Sequence, residues 1–230
     1  MQRHGCPETV LVCMPTYHSE LSWLVRATES LRLQTYHNFE CWVVKDGCSE
    51  ACTFTKLDET CRECRRCGET DRFFRSLCVA DPRFRYFRLP IHHSGAGWGP
   101  RNFAIMNTEH RLITYLDDDN WVERNHVEKL YWALIKGNSE MSYTGTRLYD
   151  QDMKVIGERL HNDLPKQGFV DTSEIMHTRS LIEKHGGWRY VKKCNDWDMV
   201  SRWVPEVRWS HTNEITLNFY VREGCGIHRR

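Results

Sequence analysis

The chain's 230 residues suffice for one large domain or two small ones, with a full hydrophobic core. A hydrophobic share of 40% and a charged share of 27% place it with ordinary globular proteins, and a formal net charge of +1 gives no global ground for a nucleic-acid or membrane-surface partner. No apolar run reaches transmembrane length, and Met1-Gln2-Arg3-His4-Gly5-Cys6-Pro7 lacks a signal core, so the expected location is the cytosol or the cytosolic face of a membrane.

In chain order, Val10 to Met14 reads as a buried strand ended by Pro15-Thr16-Tyr17. Ser19 can cap the amphipathic helix that follows, with Leu21, Leu24, Ala27 and Leu31 at helical spacing. Phe39 to Val44 is a second strand, closed by Lys45-Asp46-Gly47, and a unit of this size is a right-handed parallel crossover. Phe84 to Leu89 is a third strand. After a loop with Gly95, Gly97 and Gly99, Asn102 to Glu109 reads as a helix. Strand and helix thus alternate through the first 120 residues, which argues for an α/β sheet.

Beyond residue 120 the pattern loosens. Val127 to Ile135 has helical spacing, and Met141 to Leu148 with Met153 to Ile156 reads as a hairpin turning at Asp150-Gln151-Asp152. A polar connection follows, then short segments at Ile175-Met176 and Ser180 to Lys184. Asn195 to Trp203 is a further helix and Ile215 to Val221 a late strand. With no repeat or flexible linker, the expected organisation is a single unit, residues 1–230. Its first half spans about 8–121, with a cysteine-rich insert at 48–78, and its second half about 122–230.

Eleven cysteines are present, and five cluster as Cys48-x3-Cys52-x8-Cys61-x2-Cys64-x2-Cys67. Short Cys-x2-Cys pairs are the usual way to hold two zinc ligands, so a structural Zn2+ on four of these five is expected, with disulfides or free thiols as the alternatives. Cys13 and Cys41 fall in core strands, where cysteine acts as a small hydrophobe. Arg62, Arg65, Arg66, Arg72 and Arg75 make the insert basic. That is either a solvated face or a patch for nucleic acid or protein.

The stretch Leu112-Ile113-Thr114-Tyr115-Leu116-Asp117-Asp118-Asp119-Asn120 carries the clearest chemistry. An apolar strand delivers three carboxylates at its carboxyl end, where open α/β sheets bind ligands. Simple alternation puts Asp117 and Asp119 on one face and Asp118 on the other. Two carboxylates suit a hard divalent cation carrying bound phosphates; the competing reading is a solvated acidic turn.

Taken together, several segments resemble the family 2 glycosyltransferases of GT-A fold. They are Val-Leu-Val-Cys-Met-Pro-Thr-Tyr at 10–17, Ser30-Leu31 through Gln34-Thr35-Tyr36 and Asn38-Phe39-Glu40, and Val43-Val44-Lys45-Asp46-Gly47. Arg101-Asn102, Asp117-Asp118-Asp119 at the DxD position, and Asn195-Asp196-Trp197-Asp198 complete the set. The resemblance runs roughly from Val10 to Gly224. It implies a Rossmann-like, mostly parallel sheet with helices on both faces and a small antiparallel acceptor-side portion.

It also implies an inverting, metal-dependent transfer from a nucleoside-diphosphate sugar, a UDP-sugar by the family pattern, to a carbohydrate, lipid-linked or protein acceptor. Asp196 is implied as general base, and Asp119 with Asp117 as ligands of Mn2+ or Mg2+. Thr16, Tyr17, Asp46, Arg101, Asp117 and Asp118 are implied at the nucleotide. His228 or His211 is a candidate further metal ligand, and Trp188 and Trp197 are candidates to stack on the acceptor. Lys45 replaces an acid of the family pattern beside the base site, Asn195 replaces a glutamate, and the family's late histidine is altered in Tyr220-Val221-Arg222-Glu223-Gly224. A nucleotidyltransferase, and a non-catalytic nucleic-acid- or protein-binding module built on the basic insert, are the competing functions.

Overall fold

The computed structural model describes residues 7–47, 62–160, 165–168, 170–192 and 194–222, with side chains from residue 66 onward in the second stretch. The elements in order are β1 (Val10–Thr16), α1 (Leu21–Arg32), β2 (Phe39–Lys45), α2 (Arg62–Ala80), β3 (Phe84–Arg88), α3 (Trp98–Met106), β4 (Leu112–Tyr115) and β5 (Trp121–Val122). There follow α4 (His126–Lys136), β6 (Met141–Tyr149), β7 (Val155–Arg159), a 3-10 turn at Thr172–Glu174, β8 (Ile175–Thr178), α5 (Arg179–His185), α6 (Asn195–Trp203) and β9 (Trp209–Tyr220).

Among the described residues the strands join one nine-stranded sheet, ordered β3-β2-β1-β4-β8-β6-β9-β5, with β7 on β6. β3, β2, β1 and β4 run parallel. β8 enters antiparallel between β4 and β6, and β6 pairs in parallel with β9. The expected parallel half and antiparallel acceptor side are therefore continuous.

Period-2 alternation along β1 builds both core layers. Val10, Val12 and Met14 pack with Leu24, Ala27 and Leu31 of α1 and with Phe74 of α2, while Leu11 and Cys13 pack with Ala104 and Ile105 of α3 and with Trp203 of α6. Burial on both faces explains why the strand reads as an unbroken apolar run. Cys13 and Cys41 are wholly buried, and burial pushes the Cys13 thiol up to about 12, so it serves as packing.

Several boundaries differ from expectation. Ser19 does not cap α1. The N-cap is Glu20, and the Ser19 hydroxyl donates instead to Asp118. α3 starts four residues early, because Gly97 takes a left-handed conformation (φ 78°) as its N-cap and Pro100 sits in the first turn, where proline is tolerated. β9 starts at Trp209 rather than Ile215, its polar first half kinking at Asn213 (φ 58°). Where the cysteine-rich insert was expected, α2 begins at Arg62 and carries Cys64 and Cys67. Among the described residues no helix is long and apolar enough to cross a membrane.

Candidate active site

Three parallel strands point their carboxyl ends at one region: β1 brings Thr16 and Tyr17, β2 brings Asp46, and β4 leads into Asp117. The simple alternation of the acids fails there. β4 ends at Tyr115, and Asp117 to Asn120 form a turn closed by the Asn120 N–H on the Asp117 carbonyl at 3.1 Å.

The turn separates the three carboxylates by partner. Asp117 pairs with the Arg101 guanidinium, Asp118 accepts from Ser19, and Asp119 meets Arg222 at 2.6 Å. Arg222 also lies 3.8 Å from Asp118, so Asp118 and Asp119 share a cation. Asn120 explains how Arg222 arrives: its Oδ1 accepts the Tyr220 N–H at 3.0 Å, fixing the end of β9 against the turn. Arg26 donates to the Asp119 carbonyl at 2.8 Å. Burial pushes the Asp119 carboxyl up to about 7, with Asp118 and Asp117 adding and Arg222 opposing.

The three carboxylates meet two arginines here, Arg101 and Arg222. Among the described residues, no three His, Cys, Asp or Glu side chains converge into a preformed cage. Asp119 and Asp117 are the residues that could hold a magnesium- or manganese-type ion, which takes one or two carboxylates and completes its shell with water and phosphate. His211 does not join them. That residue packs on Tyr143, its partner in β6, six residues along that strand from Tyr149, the partner of Tyr220, and so about 20 Å away at 3.3 Å per residue. His228 lies outside the described residues, as do Cys48, Cys52, Cys61 and the side chain of Cys64. Cys67 is buried, with Sγ 3.6 Å from His18 Nδ1.

Asp196 stands at the start of α6. Asn195 anchors that start by donating to the Gly95 carbonyl at 2.9 Å, tying α6 to the glycine loop. The Asp196 carboxylate accepts the Trp197 N–H at 2.7 Å. Its pKa is raised by burial; Arg101 pulls it down and Asp117 adds to the rise. Arg101 thus sits electrostatically between Asp117 and Asp196. It is 4% exposed and lies 4.6 Å from the Trp188 ring.

That burial corrects two expectations. Trp188 is 3% exposed, roofed by Arg101 and met edge-on by Tyr115, so no sugar can stack on it. Arg101 directs its two terminal nitrogens at Asp117 and the Ala96 carbonyl from a buried position, which makes it an internal counter-ion more than an open nucleotide ligand. Trp197 is half-buried and remains beside the site. Asp198 pairs with Arg202 at 3.2 Å, as its i,i+4 spacing implies.

Asp171 and Glu174 were not singled out from the sequence. They form a capping box on the 3-10 turn: Asp171 accepts from Ser173 N–H, and Glu174 from Asp171 N–H. The Asp-x-x-Glu spacing was the available signal. Ser173 accepts the Asp117 N–H at 3.0 Å, so this turn positions the acidic turn. Burial, then Asp117, Glu174 and Asp196, hold the Asp171 carboxyl well above its ordinary value.

Lys45 is 1% exposed and turns away from the base site. Its Nζ donates to Asp71 at 3.0 Å and to the Cys67 carbonyl at 3.2 Å, so its charge is spent on α2. Asp46, one residue on, faces the other way. It accepts from the Gly47 N–H at 3.0 Å and the His93 N–H at 3.0 Å.

A family model described as Glycosyl transferase family 2 matches residues 11–187. The O-antigen biosynthesis glycosyltransferase WbnJ of Escherichia coli is 22% identical over 203 residues, covering 84% of this chain and 72% of its own. Glycosyltransferase GlyA of Streptococcus pneumoniae is 28% identical over 136 residues, or 59% of this chain. This chain spans only 16% of GlyA. S. aureus TarS 1-349 in complex with UDP-GlcNAc superimposes with a TM-score of 0.69 at 15% identity, over 96% of this chain and 60% of that one. The likeness carries the GT-A arrangement of sheet and helices.

Proposed function

The chain belongs to glycosyl transferase family 2, and we propose that it moves a sugar from a UDP-sugar to an acceptor hydroxyl with inversion at the anomeric carbon. The observation that carries this reading is the placement of Asp196 and Asp117 about one buried guanidinium, Arg101, at the carboxyl edge of the parallel strands. The UDP-GlcNAc and UDP complexes of TarS support a uridine nucleotide and an N-acetylhexosamine-type donor.

In this reading Tyr17 stacks on the nucleobase, Asp46 accepts from its ring N–H, and Thr16 and Asp118 line the ribose side. Asp119, with Asp117 directly or through water, would hold Mn2+ or Mg2+; when bound, that ion supplies Lewis-acid neutralisation of the leaving diphosphate. Asp196 accepts the proton of the attacking hydroxyl as its oxygen bonds to the anomeric carbon and the bond to the diphosphate breaks. Positioned proton transfer of this kind typically contributes about 10²–10⁴-fold. Burial of Asp196 raises its affinity for that proton. Arg101 stabilises its charged form and pairs with Asp117 beside it.

A structural zinc on four of the five clustered cysteines belongs to the same proposal. Cys64 and Cys67 stand three residues apart on α2, the Cys-x2-Cys spacing by which two zinc ligands are commonly supplied.

The test is a panel of nucleotide sugars with Mn2+ and EDTA, using wild type, Asp119→Ala and Asp196→Asn. One UDP-sugar is expected to bind and turn over only with metal. Asp119→Ala should lose that dependence, and Asp196→Asn should keep binding while turnover drops by about 10²–10⁴-fold. No binding of any nucleotide sugar by folded wild-type protein would overturn the reading. Zinc content by atomic absorption, at one ion per chain or none, settles the cysteine part.

A further inference from the structure

Tyr17 and His92 stack with ring centroids 4.2 Å apart and planes 21° from parallel. Beyond that stack, His92 Nδ1 lies 3.0 Å from Asp46 Oδ2. The approach is off the line of a hydrogen bond, so a buried ring nitrogen stays unsatisfied. The other oxygen of Asp46 is crowded: Oδ1 takes the Gly47 N–H, the His93 N–H and His93 Nδ1, each at 3.0 Å. Oδ2 has one further contact, the same His93 N–H at 3.1 Å. It is therefore the oxygen with capacity for a ligand.

One imidazole thus covers both groups that the proposed function gives to the nucleobase. It presents what a pyrimidine presents, a flat ring to the tyrosine and a ring nitrogen edge to the carboxylate. A third ring cannot enter between them, since two stacking contacts of about 3.5 Å need about 7 Å between the outer rings. Either the imidazole leaves or the base stays out.

The main chain beneath His92 is held in place. The Gly47 N–H donates to the Ile91 carbonyl at 3.2 Å, and a Cβ on Gly47 would meet the Ile91 carbonyl carbon at 2.2 Å. Exchange must come from rotation of the His92 side chain, which is 28% exposed and open to solvent.

Resting on the nucleotide-sugar reading, we infer that His92 is a displaceable occupant of the nucleobase slot, giving way to a base that brings its own ring N–H to Asp46. The unsatisfied nitrogen makes the occupant easy to release.

The experiment is calorimetric titration of UDP and GDP into wild type, His92→Ala and Tyr17→Ala. His92→Ala is expected to bind UDP about three- to ten-fold tighter, since a stack between aromatic rings no longer has to be broken first. Tyr17→Ala should weaken UDP. Unchanged or weaker UDP binding by His92→Ala overturns the inference while leaving the wild-type nucleotide reading intact; weaker binding would make His92 a wall of the bound site. If neither nucleotide binds any variant, and thermal melts show all three folded, the nucleotide reading itself fails and takes this inference with it.

Discussion

Arg222 holds its guanidinium 2.6 Å from Asp119 while its other side lies 4.9 Å from the Trp23 ring. The arginine thereby supplies positive charge where the proposed divalent ion would sit. The two should compete. Arg222→Ala is expected to bind Mn2+ about three- to ten-fold more tightly than wild type in nucleotide-free protein, read by electron paramagnetic resonance of free Mn2+. Equal or weaker binding would mean that Arg222 organises the carboxylates for the ion.

Glu174 gives the fold a pH signature. Burial pushes its carboxyl up to about 7, from an ordinary value of 4.5. The native state therefore holds a proton that the unfolded chain releases, and stability falls as pH rises from about 4.5 to about 7. Urea titrations of Glu174→Gln should lack this contribution, so the variant gains on wild type between pH 5 and pH 8. Glu174→Ala also loses the acceptor for the Asp171 N–H and should cost about 1–3 kcal/mol at every pH.

Arg101 is a poor place for lysine. Its fork reaches Asp117 and the Ala96 carbonyl while its face covers Trp188. Lysine keeps the charge but cannot satisfy these directions together. Arg101→Lys is expected to lower kcat by about 10²-fold with modest loss of stability. Arg101→Ala leaves Asp117 without its cation and should cost about 3–5 kcal/mol in denaturant unfolding.

Lys45 separates charge from specificity. Because its Nζ is bound to Asp71 and the Cys67 carbonyl, Lys45→Ala should loosen α2, seen as faster amide hydrogen exchange over Arg62–Ala80. The stability cost should be about 1–3 kcal/mol. UDP affinity should change by no more than about two-fold, since the lysine faces away from the base. A larger change would place its charge back in the site.

The parallel half was legible because strands buried on both faces leave continuous apolar runs, and Val10, Leu11, Val12, Cys13 and Met14 are all buried. α6 was found at its observed limits, Asn195 to Trp203, for a similar reason: its apolar stripe of Met199, Val200 and Trp203 repeats at helical spacing. β5 is two residues long, too short for any periodicity to register. The arrangement of Asp117, Asp118 and Asp119 was misread because alternation holds only while backbone stays extended, and the strand stops at Tyr115. Trp188 and Lys45 show a different limit. Whether a tryptophan faces a sugar, or a lysine a nucleotide, depends on partners such as Arg101 and Asp71 that are remote in sequence.

The clasp between Lys45 and the Cys67 carbonyl joins the two borders of the intervening stretch within a single hydrogen bond. Two segments 22 residues apart are thereby fastened into one body. A spectroscopic probe on the outer side of α2 would follow the end of β2 without touching Asp46.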